Sequence, residues 1–401
     1  MFMGENLTNL RIMHGYSRKE LSEKLGVTEQ AVWQYENAYT SPKVPIVNEL
    51  KRIFSVKSKY FYEKDKLAER NNAANINVMD IAYRSKVMNV ISKTQTEAKH
   101  VEYLDTFVNY ITSQISLPTL KIIQLREEAI QYMNQSHDDR TAQIQHIAKL
   151  ARQRLNLERS TNENLMFWIE KSGVYVFEKA IGEGIDAYSL WTREDRPFII
   201  LGNIKRSAVR RNFDIAHELG HLLLHYRLEF VNLDRKEHRE IENEANLFAG
   251  AFLLPEEEFT QDMQAISQMT NPDHYLELKN KWKTSLQVLG YRAANLGLMD
   301  AKAHRNFYAA MHRRGYLERE PFDQTIPLQT PMRIRTIIDL LANKGLVDIR
   351  YMIEQDWKVE TSFFHHMTGI KTEFFNKYMT SSPTVKVHDL NAIPNRSFKN
   401  G

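Results

Sequence analysis

The sequence predicts an α+β protein, mostly helical with a small β-sheet: an all-α helix-turn-helix module first, a domain holding the small sheet next, and a helical C-terminal region. Three observations carry that prediction. Apolar residues recur at helical spacing through most of the chain, while the short strand-like runs GVYVFE, AYSLW and RPFIIL cluster between residues 173 and 201. Directly after them comes RNFDIAHELGHLLLH, Arg211 to His225, with His217 and His221 one turn apart on an amphipathic helix.

A chain of 401 residues exceeds one core of ordinary size, and boundaries are expected at 1–65, 66–160, 161–265 and 266–401. With 42% hydrophobic and 26% charged residues and no apolar run long enough to cross a bilayer, it reads as a folded protein with no membrane partner. The start, MFMGENLTNL, lacks the basic and apolar regions of an export signal, and the absence of cysteine is compatible with a reducing compartment, so a cytoplasmic location is expected. That same absence excludes disulfides, thiol catalysis and thiolate ligands; any zinc site must be built from histidine and carboxylate. The net charge of +4 is too mild to argue for nucleic acid by itself.

Asn6 to Glu36 reads as three short helices. Ser17 and Glu20 form a capping box before RKELSEKL, Gly26 makes the turn, and Thr28 caps EQAVWQYEN. Leu21, Leu25, Val27, Val32 and Tyr35 supply the small core between them, leaving Glu29, Gln30, Trp33 and Gln34 on the exposed face of the second helix. Glutamines are suited to reading base edges, and Lys43 and Lys51 to meeting phosphates. The stretch SRKELSEKLGVTEQAVWQYENAYTSP, followed by IVNELKRIF, resembles the Xre/phage-repressor type of DNA-binding domain. That resemblance implies a double-stranded DNA operator met by Thr28, Glu29, Gln30, Trp33, Gln34 and Lys43, with a homodimer as a candidate assembly.

Beyond Lys64, KDKLAERNNAANIN reads as a linker or frayed helix end. A long amphipathic helix is expected over Thr94 to Ile115 and another over Thr141 to Leu155, their apolar stripes serving as core or dimer contact. An edge strand among the following β segments would suit a peptidase, which binds an extended backbone by adding it to a sheet.

Two imidazoles four residues apart can grip one metal ion, and Glu218 beside the first can act as general base. A third ligand must come from His225, Asp234, His238, Glu240, Glu242 or Glu244. REIENEANLFAGAFLLPEE is a buried helix with acids on its front turn, from which Glu242 and Asn246, four apart, project together. A glutamate on a second helix is the usual completion of a three-ligand catalytic zinc.

RNFDIAHELGHLLLH followed by ENEANLFAGAFLLP resembles the ImmA/IrrE family of metallopeptidases, whose members often carry an Xre-type domain in front. The resemblance implies zinc held by His217, His221 and Glu242, with Glu218 catalytic; Arg211, His225 and Asn246 are candidate neighbours of the ligands. The function it implies is a DNA-binding regulator that cleaves a repressor or other regulatory protein, switching genes of stress response, phage or mobile-element defence. A regulator whose peptidase-like domain senses a ligand or partner without cutting is the alternative. From Glu256 onward the chain is helical in pattern, with Trp282, Leu286, Leu289, Ala293 and Leu296 on one side, short helices at Met332–Asp348 and Trp357–Tyr378, and a loosely ordered tail from Ser381.

Overall fold

The computed structural model describes residues 1–69, 82–83, 91–115, 120–157, 161–179, 186–203, 207–228 and 233–380. It is mostly helical with a small mixed sheet, as the hydrophobic spacing leads one to expect.

Local chemistry builds the front module. Helix α1 (Gly4–Met13) precedes α2 (Arg18–Leu25), where the Ser17 Oγ accepts from the Glu20 backbone and the Glu20 carboxylate accepts from the Ser17 backbone. Gly26 ends α2 in the left-handed region at φ 64°, and Thr28 Oγ1 accepts from Ala31 N to open α3 (Glu29–Glu36). Glu36 is buried at the end of α3 and accepts from Arg11 Nε and, at 2.6 Å, from Arg18 Nε, which locks the three helices together. Gly4 sits where α1 meets that helix end: a Cβ there would overlap the carbonyl oxygens of Tyr35 and Glu36. Gly4→Ala is therefore expected to lower stability by about 1–3 kcal/mol, read as a reduced midpoint in urea. Helix α4 (Val44–Phe54) closes the module, and a short α5 (Lys66–Glu69) follows. The rest of the expected linker lies outside the described residues.

The two long stripes form α6 (Ile91–Thr112) and α8 (Arg140–Arg154), the latter capped by Asp139, and both stripes are core. Between them α7 (Lys121–Gln135) was not anticipated; its buried apolar positions, Ile122, Leu125 and Ala129, are sparse among charges. The sheet consists of β1 (Ala82–Tyr83), which precedes α6, and, after α9 (Leu165–Ser172), β2 (Tyr175–Lys179), β3 (Ala187–Trp191) and β4 (Pro197–Gly202), ordered β1-β3-β4-β2. Strands β2 and β4 run parallel, and the other neighbours are antiparallel.

Period-two alternation gives the sheet two buried faces. Tyr175, Phe177, Tyr188, Leu190, Phe198 and Ile200 point into one core, whereas Val176, Ala187, Trp191, Ile199 and Leu201 point into another. The second core holds α7 to α9, α10 (Ala208–Leu224), α11 (Arg235–Leu253), α12 (Glu256–Met263), α13 (Leu276–Trp282), α14 (Leu286–Asn295) and α15 (Ala301–Arg313). The first is shared by α1 to α4, α6 and the last helices, α16 (Arg333–Asn343), α17 (Ile349–Tyr351), α18 (Thr361–Thr368) and α19 (Thr372–Thr380). A Val56–Val359 bridge and stacked His14 and His366 rings, 4.3 Å apart, join the front module to those last helices.

One expected stripe is divided. The run from Trp282 to Leu296 is two helices, because Lys283 adopts φ 51° and the Ser285 hydroxyl accepts from Val288 N to start α14 afresh. The tail expected to be loose lies outside the described residues. Among the described residues no helix is long and apolar enough to cross a membrane.

Candidate metal centre

Helix α10 lies against β3, and its His217, Glu218 and His221 are all buried. Gly220 lets α11 come close, a Cβ there falling 3.0 Å from the Phe248 ring, and this approach delivers Glu242. The Glu242 carboxylate lies 3.5 Å from His217 Nε2 and 3.4 Å from His221 Nε2, and those two nitrogens are 3.1 Å apart. Among the described residues these three form a group able to share one ion.

Their outer contacts set which nitrogen faces inward. The Asn246 Oδ1 accepts from His217 Nδ1 at 3.1 Å, leaving the Nε2 lone pair directed at Glu242. For His221 the chain is longer: Nδ1 lies 3.0 Å from His225 Nδ1, and His225 Nε2 lies 3.0 Å from Glu244, which also accepts from Arg140 at 2.6 and 2.9 Å. With the His225 Nε2–H donating to the carboxylate, its Nδ1 accepts from His221, whose Nε2 lone pair is then free to face inward. Burial pushes the His225 imidazole down to about 4, in keeping with that neutral, relaying role. Burial works to raise Glu242, but its contacts with His217 and His221 outweigh it and hold the carboxyl well below the usual range.

The donor set fits a divalent ion such as zinc. Two imidazole nitrogens and one carboxylate oxygen converge, and ligand atoms about 2.0–2.1 Å from a tetrahedral ion lie about 3.3 Å apart, close to the separations found here. Of the candidates for third ligand, Glu242 stands in this group and Glu244 is held away from it by Arg140 and His225. Asn246→Ala should weaken zinc binding about 10–100-fold, measured by competition with a chromophoric chelator, because it frees the His217 ring to turn.

Glu218 points elsewhere, toward the sheet. Ser189 Oγ donates to its Oε2 at 2.7 Å, and burial pushes its carboxyl up to about 7 against the opposing pull of His221 and Ser189. Ser189 escaped the sequence reading, although its signal was present: it is the one hydroxyl in AYSLW facing the α10 side with Ala187 and Trp191. Arg211 is not gathered into this site. It ion-pairs with Glu178 and donates to the Gln329 carbonyl at 3.1 Å, tying α10 to β2 and the chain before α16.

In the front module, Glu29, Gln30, Trp33 and Lys43 are exposed and Gln34 half-buried, so its docking leaves the outer face of α3 open. Trp33 packs on Tyr39 with centroids 5.2 Å apart, and the Thr28 hydroxyl is occupied as a cap.

Residues 169–294, spanning the sheet from β2 through α10 and α11 into α14, match the family model of the IrrE N-terminal-like domain, and residues 7–61 match that of the helix-turn-helix. The chain carries an IrrE-like, peptidase-type domain behind a helix-turn-helix domain. It is also similar to the HTH-type transcriptional regulator ImmR of Bacillus subtilis (strain 168), at 29% identity over 77 residues, which is 19% of this chain and 61% of that protein. The match therefore spans less than two thirds of the relative. The His217, His221 and Glu242 group and Glu218 all lie within the IrrE-like domain, and the open face of α3 lies within the helix-turn-helix domain.

Proposed function

We propose that the protein is a DNA-binding transcriptional regulator whose IrrE-like domain is a zinc-dependent endopeptidase, acting on a repressor or another regulatory protein. The observation that carries this reading is the convergence of His217, His221 and Glu242 beside a buried general base, Glu218, held by Ser189. When bound, the zinc ion supplies Lewis acidity that polarises the scissile carbonyl and acidifies water. His217, His221 and Glu242 hold it; Asn246 and the His225–Glu244–Arg140 chain keep the two rings turned inward. Glu218 accepts a proton from the attacking water and returns it to the departing amine, a role suited to a carboxyl raised toward neutrality. Ser189 orients that carboxylate.

Thr28, Glu29, Gln30, Trp33, Gln34 and Lys43 form the DNA face in this reading. A Gln30→Ala, Gln34→Ala double variant is expected to lose about 1–3 kcal/mol of discrimination for each bidentate base contact removed, whereas Lys43→Ala weakens all sequences alike and lowers the salt slope by about 1. Fluorescence anisotropy on the preferred operator at several salt concentrations measures both.

The proteolytic part is tested by incubating the zinc-loaded chain with small Xre-type repressors, beginning with one encoded beside its gene. Discrete fragments with wild type and none with Glu218→Gln are expected. If both proteins bind zinc, neither cuts and both still repress, the protein is a regulator without peptidase activity.

A further inference from the structure

We propose that a cavity beside the metal centre receives a large apolar side chain of the substrate, next to the bond that is cut. The proposal rests on the peptidase reading above. The cavity has a volume of about 330 Å³, and four of its lining residues place it against the reacting groups. Asn246 is the residue that holds His217 Nδ1 at 3.1 Å, and the Phe213 ring lies 6.0 Å from the His217 ring. Asp214 stands one turn before Glu218 on α10, and Asp186 immediately precedes β3, whose Ser189 donates to Glu218. A substrate backbone held at Glu218 and the metal-binding group therefore passes within a side chain's reach of the cavity.

Another wall comes from well beyond the metal-binding helices. Val288 and Tyr291 on α14, Tyr308 on α15 and Leu317 after it supply apolar and aromatic surface. The two helices are pressed together: a Cβ at Gly290 would fall 2.6 Å from the Phe307 ring, and the Tyr308 hydroxyl donates to the Gln287 carbonyl at 3.4 Å. The wall therefore stands before a substrate arrives, and binding needs little ordering there. Tyr308 and Leu317 lie beyond residues 169–294, which match the IrrE N-terminal-like model, so part of the wall belongs to this chain's own C-terminal region. The charged residues at the cavity are already engaged. Arg210 Nη2 donates to the Leu317 and Glu318 carbonyls at 2.9 and 2.8 Å, and Asp186 and Asp214 have partners of their own. What is left to cover is apolar surface, which a leucine- or phenylalanine-sized side chain matches, while the two aspartates disfavour an acidic one.

The test uses the zinc-loaded full-length chain and two metal-binding probes that are not peptides, leucine hydroxamate and glycine hydroxamate, with affinities read by calorimetry. Three protein ligands leave one position on the ion for the hydroxamate group of either probe, so the ratio of affinities reports the side chain. Leucine hydroxamate is expected to bind about 10- to 100-fold tighter. Val288→Trp, which fills the cavity, should bring that ratio below about 3-fold with zinc content unchanged. Should it fail to fold, Leu317→Trp fills the cavity from a different position and is expected to act alike. Equal affinities in wild type, or a ratio unmoved by filling the cavity, would overturn the proposal and leave the peptidase reading in place. Binding of neither probe by a chain that holds zinc would overturn both.

Discussion

Glu218→Gln is expected to lower kcat/KM for a peptide substrate by about 10²–10⁴-fold while zinc binding and folding stay at the wild-type level. Glutamine keeps the shape and the hydrogen bond from Ser189 but has no basic oxygen to take a proton. Because Glu218 stands outside the group formed by His217, His221 and Glu242, the metal should remain. Ser189→Ala offers a graded counterpart: the carboxylate survives, its orientation is loosened, and the loss should be smaller. A fluorogenic peptide derived from an authentic cleavage site reads both, and equal rates for wild type and Glu218→Gln would remove Glu218 from the chemistry.

Glu97→Ala is expected to cost about 3–5 kcal/mol of stability, the largest effect anticipated outside the centre. Glu97 on α6 accepts from Lys179 Nζ at 2.8 and 2.9 Å and from the Tyr188 hydroxyl at 2.6 Å, all in buried surroundings. Burial already lowers the Lys179 pKa against the pull of Glu97, so removing the carboxylate strands a buried ammonium. A Glu97→Leu, Lys179→Met double variant should recover most of the loss, since an apolar pair of similar volume avoids the unpaired charge. Urea unfolding separates the outcomes: a loss under about 1 kcal/mol for Glu97→Ala would mean that water reaches the pair.

Much of this arrangement was legible in local spacing. The Ser17–Glu20 box, the Gly26 turn and the Thr28 cap are contacts between residues three or four apart, where side-chain preference alone decides geometry. The pairing of His217 with His221 and of Glu242 with Asn246 follows from the same helical period. What local spacing could not supply were contacts between distant elements. Arg140 meets Glu244 across 104 residues, and that contact holds Glu244 apart from His217, His221 and Glu242. Ser189 reaches Glu218 only because β3 lies on α10 in a particular register. The sharing of one core by the helix-turn-helix and the last helices was equally hidden, since an apolar stripe states that a face is buried without naming its partner. Where a stripe looked continuous, from Trp282 to Leu296, two helices happened to bury the same side, and the break lay in the backbone of Lys283.

The central claim, that His217, His221 and Glu242 hold one catalytic ion, is tested most directly by zinc content. Elemental analysis should compare purified wild type, His221→Ala, Glu242→Ala and Glu244→Ala after dialysis against a weak chelator. The account expects one zinc per chain in wild type and in Glu244→Ala, with loss from His221→Ala and Glu242→Ala. Retention by Glu242→Ala together with loss from Glu244→Ala would move the third ligand, and no zinc in wild type would contradict the metal centre altogether.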